Sequence, residues 1–279
     1  MSEQKIIAGD DFRKLQLLEL EMLVELDRVC RANGITYQIW AGTQLGAVRH
    51  KGFIPWDDDA DVVMLREEYE KFRKVADQLD PEICFFQDHR NDPGYRWGYG
   101  KLRHTGTKYV RLGQEHLNCK TGVFIDIFPH DDVPISTAGQ MLQDFHCFCL
   151  RKILWSEVGK YNETGLMKLW YRLLSKVPVS FVFRQLDWYA KKSSSKSPNK
   201  VRTLTYTSIG KLYFKHSIKE RYGMPKRWFL NTASFEFEGK TLIGLADYDE
   251  YLRFSYGDYM QLPPEEKRVQ HAPVSDYAF

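Results

Sequence analysis

Residues Tyr37 to Val63 read YQIWAGTQLGAVRHKGFIPWDDDADVV, and two signals sit together in that stretch. Tyr37 to Ala41 is apolar and aromatic and stops at Gly42, which predicts a buried strand, and Thr43 to His50 has the composition of a short helix. A strand turning through Gly42 and Thr43 into a helix leaves unpaired backbone N–H groups facing whatever lies over the turn, and the helix dipole favours an anion there. Gly42 and Thr43 are therefore candidate phosphate-binding residues, with Lys51 in the basic exit Arg49-His50-Lys51 as a third.

After Gly52 and Pro55 the chain enters Asp57-Asp58-Asp59-Ala60-Asp61 and continues as the apolar run Val62 to Leu65. Side chains alternate along a strand, so Asp57, Asp59 and Asp61 are expected to share one face at successive spacings of about 6–7 Å, with Asp58 structural on the other. Like charges at that spacing call for a cation, and a hard divalent ion with oxygen ligands fits best: Mg2+, with Mn2+ as its substitute. A solvated acidic turn has the same composition. Against that reading, the carboxylates run straight into a hydrophobic strand, and a second element complements them. Phe124 to Phe128 reads FIDIF, a single carboxylate in an apolar strand, where Asp is disfavoured unless paired. If the two strands are neighbours, Asp126 joins Asp59 and Asp61 as a third catalytic carboxylate and metal ligand.

A strand–turn–helix bearing Gly and a small hydroxyl residue, then Asp-x-Asp on one strand and a single Asp on another, resembles the nucleotidyltransferase superfamily that includes DNA polymerase beta. GTQLGAVRHKGFIPWDDDADV (Gly42 to Val62) resembles the signature of the LicD/fukutin family of phosphocholine and polyol-phosphate transferases. The resemblance extends through KLRHTGT (Lys101 to Thr107), GVFIDIFPHDDVP (Gly122 to Pro134) and YLRFSYGDYMQLPP (Tyr251 to Pro264). Departures are Gln44 and His130 at positions that are usually apolar, and Ala60 in place of a β-branched residue. No carboxylate is lost, and Gln44 bears on what lies over the helix start.

The resemblance implies an α+β, nucleotidyltransferase-like fold of the polymerase-beta type, a mixed sheet flanked by helices with a helical insertion. The divisions would be a core over 11–135, an insertion and linker over 136–199, and strands and a helix over 200–279 completing a single domain. It further implies a CDP-activated alcohol as donor, CDP-choline first, and a glycan or lipid-linked glycan as acceptor, such as lipopolysaccharide or teichoic acid, with CMP released. Spacing alone implies only metal-dependent phosphoryl or nucleotidyl chemistry. Two other readings remain: a metal-dependent glycosyltransferase, which also uses Asp-x-Asp, and a binding module without turnover.

With 279 residues and 43% hydrophobic content the chain can bury a sizeable core, and 40 basic against 37 acidic residues leave a net charge of +3. That balance argues against nucleic-acid binding by bulk electrostatics. Five cysteines with no Cys-x-x-Cys pair argue against a disulfide scaffold or zinc ribbon. A cytoplasmic location is expected, since no apolar run has signal-peptide or membrane-spanning length.

Outward from the central stretch, LQLLELEMLVELDRVC within Asp11 to Ala32 predicts a packing helix with its charges outward. Glu67 to Gln78 predicts a second helix, and Ile83 to Gln87 a short strand. Lys101 and Arg103 alternate onto one face of a further strand, where they would neutralise phosphate oxygens or simply sit exposed. Trp40, Trp56, Tyr95 and Trp97 are candidate faces for a quaternary ammonium, or core residues. Thr137 to Val158 and Gly165 to Lys192 predict helices, the second aromatic, basic and broken at Pro178. It suits burial in the protein first and peripheral contact with a membrane second. His146, Cys147 and Cys149 do not aim at one point. Ser193 to Asn199 reads as a linker, Arg202 to Ile209 as strand-like, Phe237 to Lys240 as a hairpin turn, and Asp249 to Tyr259 as a last helix.

Overall fold

The computed structural model describes residues 4–193, 199–205, 222–270 and 273–279. Most of the linker expected at 193–199, and residues 206–209 of the strand-like piece, lie outside that range.

Strands β1 (Gln38–Ile39), β2 (Asp61–Leu65), β3 (Cys84–Gln87), β4 (Gly100–His104) and β6 (Phe124–Asp132) join β9 (Thr232–Phe237) and β10 (Lys240–Leu245) in one mixed sheet. Its order is β3-β4-β6-β2-β1-β10-β9. β2 runs parallel to β6 and β1 parallel to β10, while the other neighbours are antiparallel. The far end of β6 also pairs with β7 (Lys200–Arg202), which pairs with β8 (Met224–Pro225). A separate ribbon joins β5 (Lys108–Arg111) to β11 (Val274–Ala278).

Strand alternation divides the interior in two. Val62, Met64, Ile125 and Ile127 point to the face covered by α1 (Asp10–Ala32), whose Leu15, Met22, Leu23, Leu26 and Val29 are buried at helical spacing. Val63 and Phe128 point the other way, toward Trp228, Phe229, and Tyr251 and Leu252 of α7 (Tyr248–Tyr256). Asp61 and Asp126 have the parity of Val63 and Phe128. They therefore open on the second face, beside α2 (Ala41–His50). A third, smaller core lies between α4 (Thr137–Asn162) and α6 (Val179–Ser193), where Cys147, Leu150, Val182 and Phe183 meet. α5 (Gly165–Leu174) follows α4 in the chain and packs against it. All five cysteines are free thiols, and among the described residues no helix is long and apolar enough to cross a membrane.

Several boundaries differ from the sequence reading, each for a local reason. The strand expected over Tyr37 to Ala41 is only Gln38–Ile39, because Ala41 takes φ 48° and opens α2. Asp57 to Ala60 precede β2, since the Asp57 N–H closes a turn on the Ile54 carbonyl at 2.9 Å. The helix expected over Glu67 to Gln78 is α3 (Arg66–Lys74) followed by a separate 3-10 turn at Ala76–Gln78. α7 stops at Gly257, whose φ of 75° ends the helix before Tyr259. The charges of α1 are not all outward: Glu19 and Glu25 are buried, as is the neutral Gln16.

Candidate active site

Register brings the carboxylates together. Asp61 on β2 is the parallel neighbour of Asp126 on β6, and Lys101 on β4 is the antiparallel neighbour of the same Asp126. The start of β2 is fixed from two sides: the Asp61 N–H donates to the Thr43 hydroxyl at 2.8 Å, and its carbonyl accepts from the Trp40 N–H at 2.9 Å. The Asp126 N–H donates to the Ala60 carbonyl at 2.9 Å. Thr43 thus holds the backbone of a carboxylate-bearing strand. Gly42 lies beneath a carboxylate, since a Cβ built there would be 2.6 Å from Asp57 Oδ2. The anion over this turn is the protein's own Asp57, in the position that the unpaired N–H groups of a helix start favour.

Asp57, Asp58 and Asp59 offer oxygens that lie within 4.8 Å of one another. Asp58, expected on the opposite face, is one of that group because the segment turns rather than alternates. Below it, Glu19 of α1 is buried and its Oε2 has no hydrogen-bond partner among the described residues. Burial, then the charges of Asp59, Asp57, Asp58 and Asp61, hold the Glu19 carboxyl well above the usual carboxylate range. Asp61 is pushed up likewise, by burial first and then by Asp59, Asp126 and Asp57, against the opposing pull of Lys101. Lys101 is the buried counter-charge, with Nζ paired to Asp126 Oδ1 and 3.4 Å from the centre of the Phe124 ring. Burial lowers its ammonium to about 7, although Asp126 acts to raise it. A crowded set of hard oxygen donors with one buried ammonium matches what a divalent cation requires, and Asp57, Asp59, Asp61 and Asp126 all border one cleft.

That cleft has a volume of about 990 Å³. Residues 256–268 form a further wall of the cleft carrying Tyr256, Asp258, Tyr259, Lys267 and Arg268, and Arg49, Trp56 and Arg111 also line it. The wall is tied down by cations: Arg49 Nη1 donates to the Tyr259 carbonyl at 2.7 Å, and Arg268 Nε to the Pro263 carbonyl at 2.8 Å. Arg268 also lies 5.4 Å from the centre of the Trp56 ring. A neighbouring hollow of about 400 Å³, bordered by Trp97 and by Trp155 of α4, shares Tyr99 and Arg111 with the cleft.

Other residues expected at the site lie elsewhere. Lys51 is exposed, takes φ 61° at the end of α2, and does not border the cleft. Arg103 is buried, with Nε on the Gln87 side chain at 2.8 Å and Nη1 on the Gly122 carbonyl at 2.9 Å. Gln44 points away from the cleft and accepts from the Leu245 N–H at 2.9 Å, linking α2 to β10. Trp40 and Tyr95 are core residues, whereas Trp56 borders the cleft. Sequence reasoning gave no site role to Glu19, Arg49, Arg111, Lys267 or Arg268, and read Asp58 as structural. Arg49 had a signal in its adjacency to the acidic motif, and Tyr256 and Tyr259 had one in the YLRFSYGDYMQLPP block. For Glu19 and Arg111 the signal is purely tertiary.

Residues 34–154 match the family model described as LicD/FKTN/FKRP, nucleotidyltransferase domain, a span that contains every cleft carboxylate from Asp57 to Asp126. The lipopolysaccharide cholinephosphotransferase LicD of Haemophilus influenzae is 27% identical over 277 residues, covering 93% of this chain and 95% of that protein. An uncharacterized protein of Rickettsia typhi is 38% identical over 98 residues, 35% of this chain and 26% of that protein.

Proposed function

The chain belongs to the LicD family, and from that premise we propose that it is a nucleotidyltransferase-type enzyme moving phosphocholine from CDP-choline to a hydroxyl of a cell-surface glycan. The observation that carries this reading is the meeting of Asp61 and Asp126 as register neighbours in a cleft they share with Asp57 and Asp59. Likeness to a lipopolysaccharide cholinephosphotransferase along nearly the whole chain supports the choice of transferred group and acceptor class.

Asp59, Asp61 and Asp126, with Asp57 beside them, would hold Mg2+. When bound, that ion neutralises diphosphate charge and polarises the phosphorus under attack. Arg111, Lys267 and Arg268, which line the same cleft, orient phosphate oxygens. Trp56, Tyr256 and Tyr259 offer aromatic faces to the quaternary ammonium of choline. Asp126 accepts the proton of the acceptor hydroxyl as its oxygen bonds to phosphorus and the bond to the CMP oxygen breaks. Lys101, paired to the same carboxylate, keeps Asp126 aimed. Lys51 does not border the cleft and Arg103 is engaged with Gln87 and the Gly122 carbonyl, so this reading gives neither a phosphate-binding role.

The test is incubation with Mg2+, a panel of CDP-alcohols and UDP-sugars, and candidate glycans, with nucleotide release followed by mass spectrometry. CMP release from CDP-choline that is abolished in Asp59→Asn, Asp61→Asn and Asp126→Asn, each still folded, is the expected result. UDP release from a UDP-sugar, or retained turnover in the variants, would overturn it.

A further inference from the structure

Among the described residues, nothing covers the apolar face of helix α5. Leu166, Leu169, Trp170 and Leu173 recur at i, i+3, i+4 and i+7, and their exposures are 85%, 54%, 53% and 51%. Only Tyr171 of this helix is buried, where its ring packs over Gly159 of α4. Lys168 and Arg172 lie on the side opposite the leucines. A helix that buries a single side chain gains little from packing, so an exposed apolar arc on it calls for a partner.

Charge identifies the partner. Residues 137–193 carry nine lysines and arginines against four acidic residues, an excess larger than the +3 of the whole chain, so the remainder is net acidic. The adjoining helices repeat the pairing of exposed rings with cations. Phe148 of α4 lies beneath Arg151 and Lys152, at 5.5 and 5.4 Å, and Trp188 of α6 lies 4.2 Å beneath Lys192. Leucine and tryptophan on one side of a helix and basic residues on the other match the interface of a bilayer with negatively charged headgroups. A protein partner matching the same helix would have to be both apolar and acidic.

We propose that α5 lies in the plane of an anionic lipid surface, with Leu166, Leu169, Trp170 and Leu173 in the acyl boundary and Lys168 and Arg172 among the headgroups. This docking does not depend on the chemistry assigned to the cleft. α4, on which α5 packs, also borders through Trp155 the hollow next to the acidic cleft, so a docked α5 keeps that opening near the membrane.

Co-sedimentation of the full chain with vesicles tests the proposal. The wild type should pellet with mixed phosphatidylcholine and phosphatidylglycerol vesicles and much less with phosphatidylcholine alone. The double variant Leu169→Glu with Trp170→Glu should lose at least about ten-fold in vesicle affinity, at unchanged melting temperature. Lys168→Gln and Arg172→Gln should each lose about five-fold on the anionic vesicles only. Failure of the wild type to pellet, or undiminished binding by the double variant, would overturn the proposal. So would a fall in the double variant's melting temperature, which would mean that the face packs within the chain. A wild-type dimer in sedimentation velocity that becomes monomeric in the double variant would assign the face to a second copy instead.

Discussion

A single methyl group is enough to disturb the acidic site. At residue 42 it would lie 2.6 Å from Asp57 Oδ2, too close for any rotation of the methyl to relieve. Gly42→Ala should therefore move Asp57, at a stability cost of about 1–3 kcal/mol, and lower turnover at least ten-fold; kcat and the urea midpoint measure the two effects. His130 offers a contrasting test. It is buried between Trp40 and Phe229, its Nε2 has no partner among the described residues, and burial with the nearby Arg66 charge lowers it to about 3. Between that value and its ordinary value near 6.5 the unfolded chain binds the proton and the folded one does not. Stability therefore rises with pH across that window and is lost as pH falls below about 6.5, by about 2 kcal/mol at pH 5. His130→Leu should remove that loss, so that wild type and variant differ more at pH 5 than at pH 7.5 in urea titrations. At this scale the sequence was informative where a residue contradicts its surroundings, as Asp61 and Asp126 do in apolar strands. Lys101 was visible as a basic residue on a strand, but its partner was not, because only register brings Asp126 opposite it.

Helix α3 follows β2 without a loop and is fixed to β6 by one ion pair. Arg66 Nε and Nη2 donate to the two carboxylate oxygens of Asp131, each at 2.7 Å, and the Asp131 side chain is fully buried. Arg66→Met should leave that carboxylate unpaired and cost about 3–5 kcal/mol, whereas Arg66→Met combined with Asp131→Leu should recover most of the loss; thermal melts of the three proteins decide it. Elements with strong periodicity, such as α1 and α4, could be read from the sequence within a few residues. Those governed by a competing local bond could not: the alternation expected through Asp57, Asp58 and Asp59 gives way to a turn, and Gln16 Nε2 holds the Asp57 carbonyl at 3.1 Å. The periodicity of α5 was equally legible. Whether its apolar side faced protein or something else was not, because an amphipathic pattern does not name its partner.

Gathering Glu19, three consecutive aspartates, Asp61 and Asp126 around one buried lysine is a property of the whole chain, since α1, β2, β4 and β6 each contribute. The electrostatic cost of that arrangement predicts a fold that responds to cations. Mg2+ at about a hundred times its dissociation constant should stabilise the protein by about 2.7 kcal/mol, a rise of roughly 5–10 °C in melting temperature for a chain of this size. Chelation should reverse it. Asp61→Asn should melt higher than the wild type without metal and show little further rise with it, which calorimetry can follow. The mixed sheet agrees with the α+β expectation, but the path by which β10 returns to lie parallel to β1 had no sequence signal, because a two-residue strand is too short to carry one.

The wall of the cleft at residues 256–268 has a consequence for synthesis. A ribosome finishes Asp57, Asp59, Asp61 and Asp126 long before it adds Tyr256, Tyr259, Lys267 and Arg268. A nascent chain at that stage holds Asp57, Asp59, Asp61 and Asp126 but lacks Tyr256, Tyr259, Lys267 and Arg268, so the cleft is completed only when the late segment folds over.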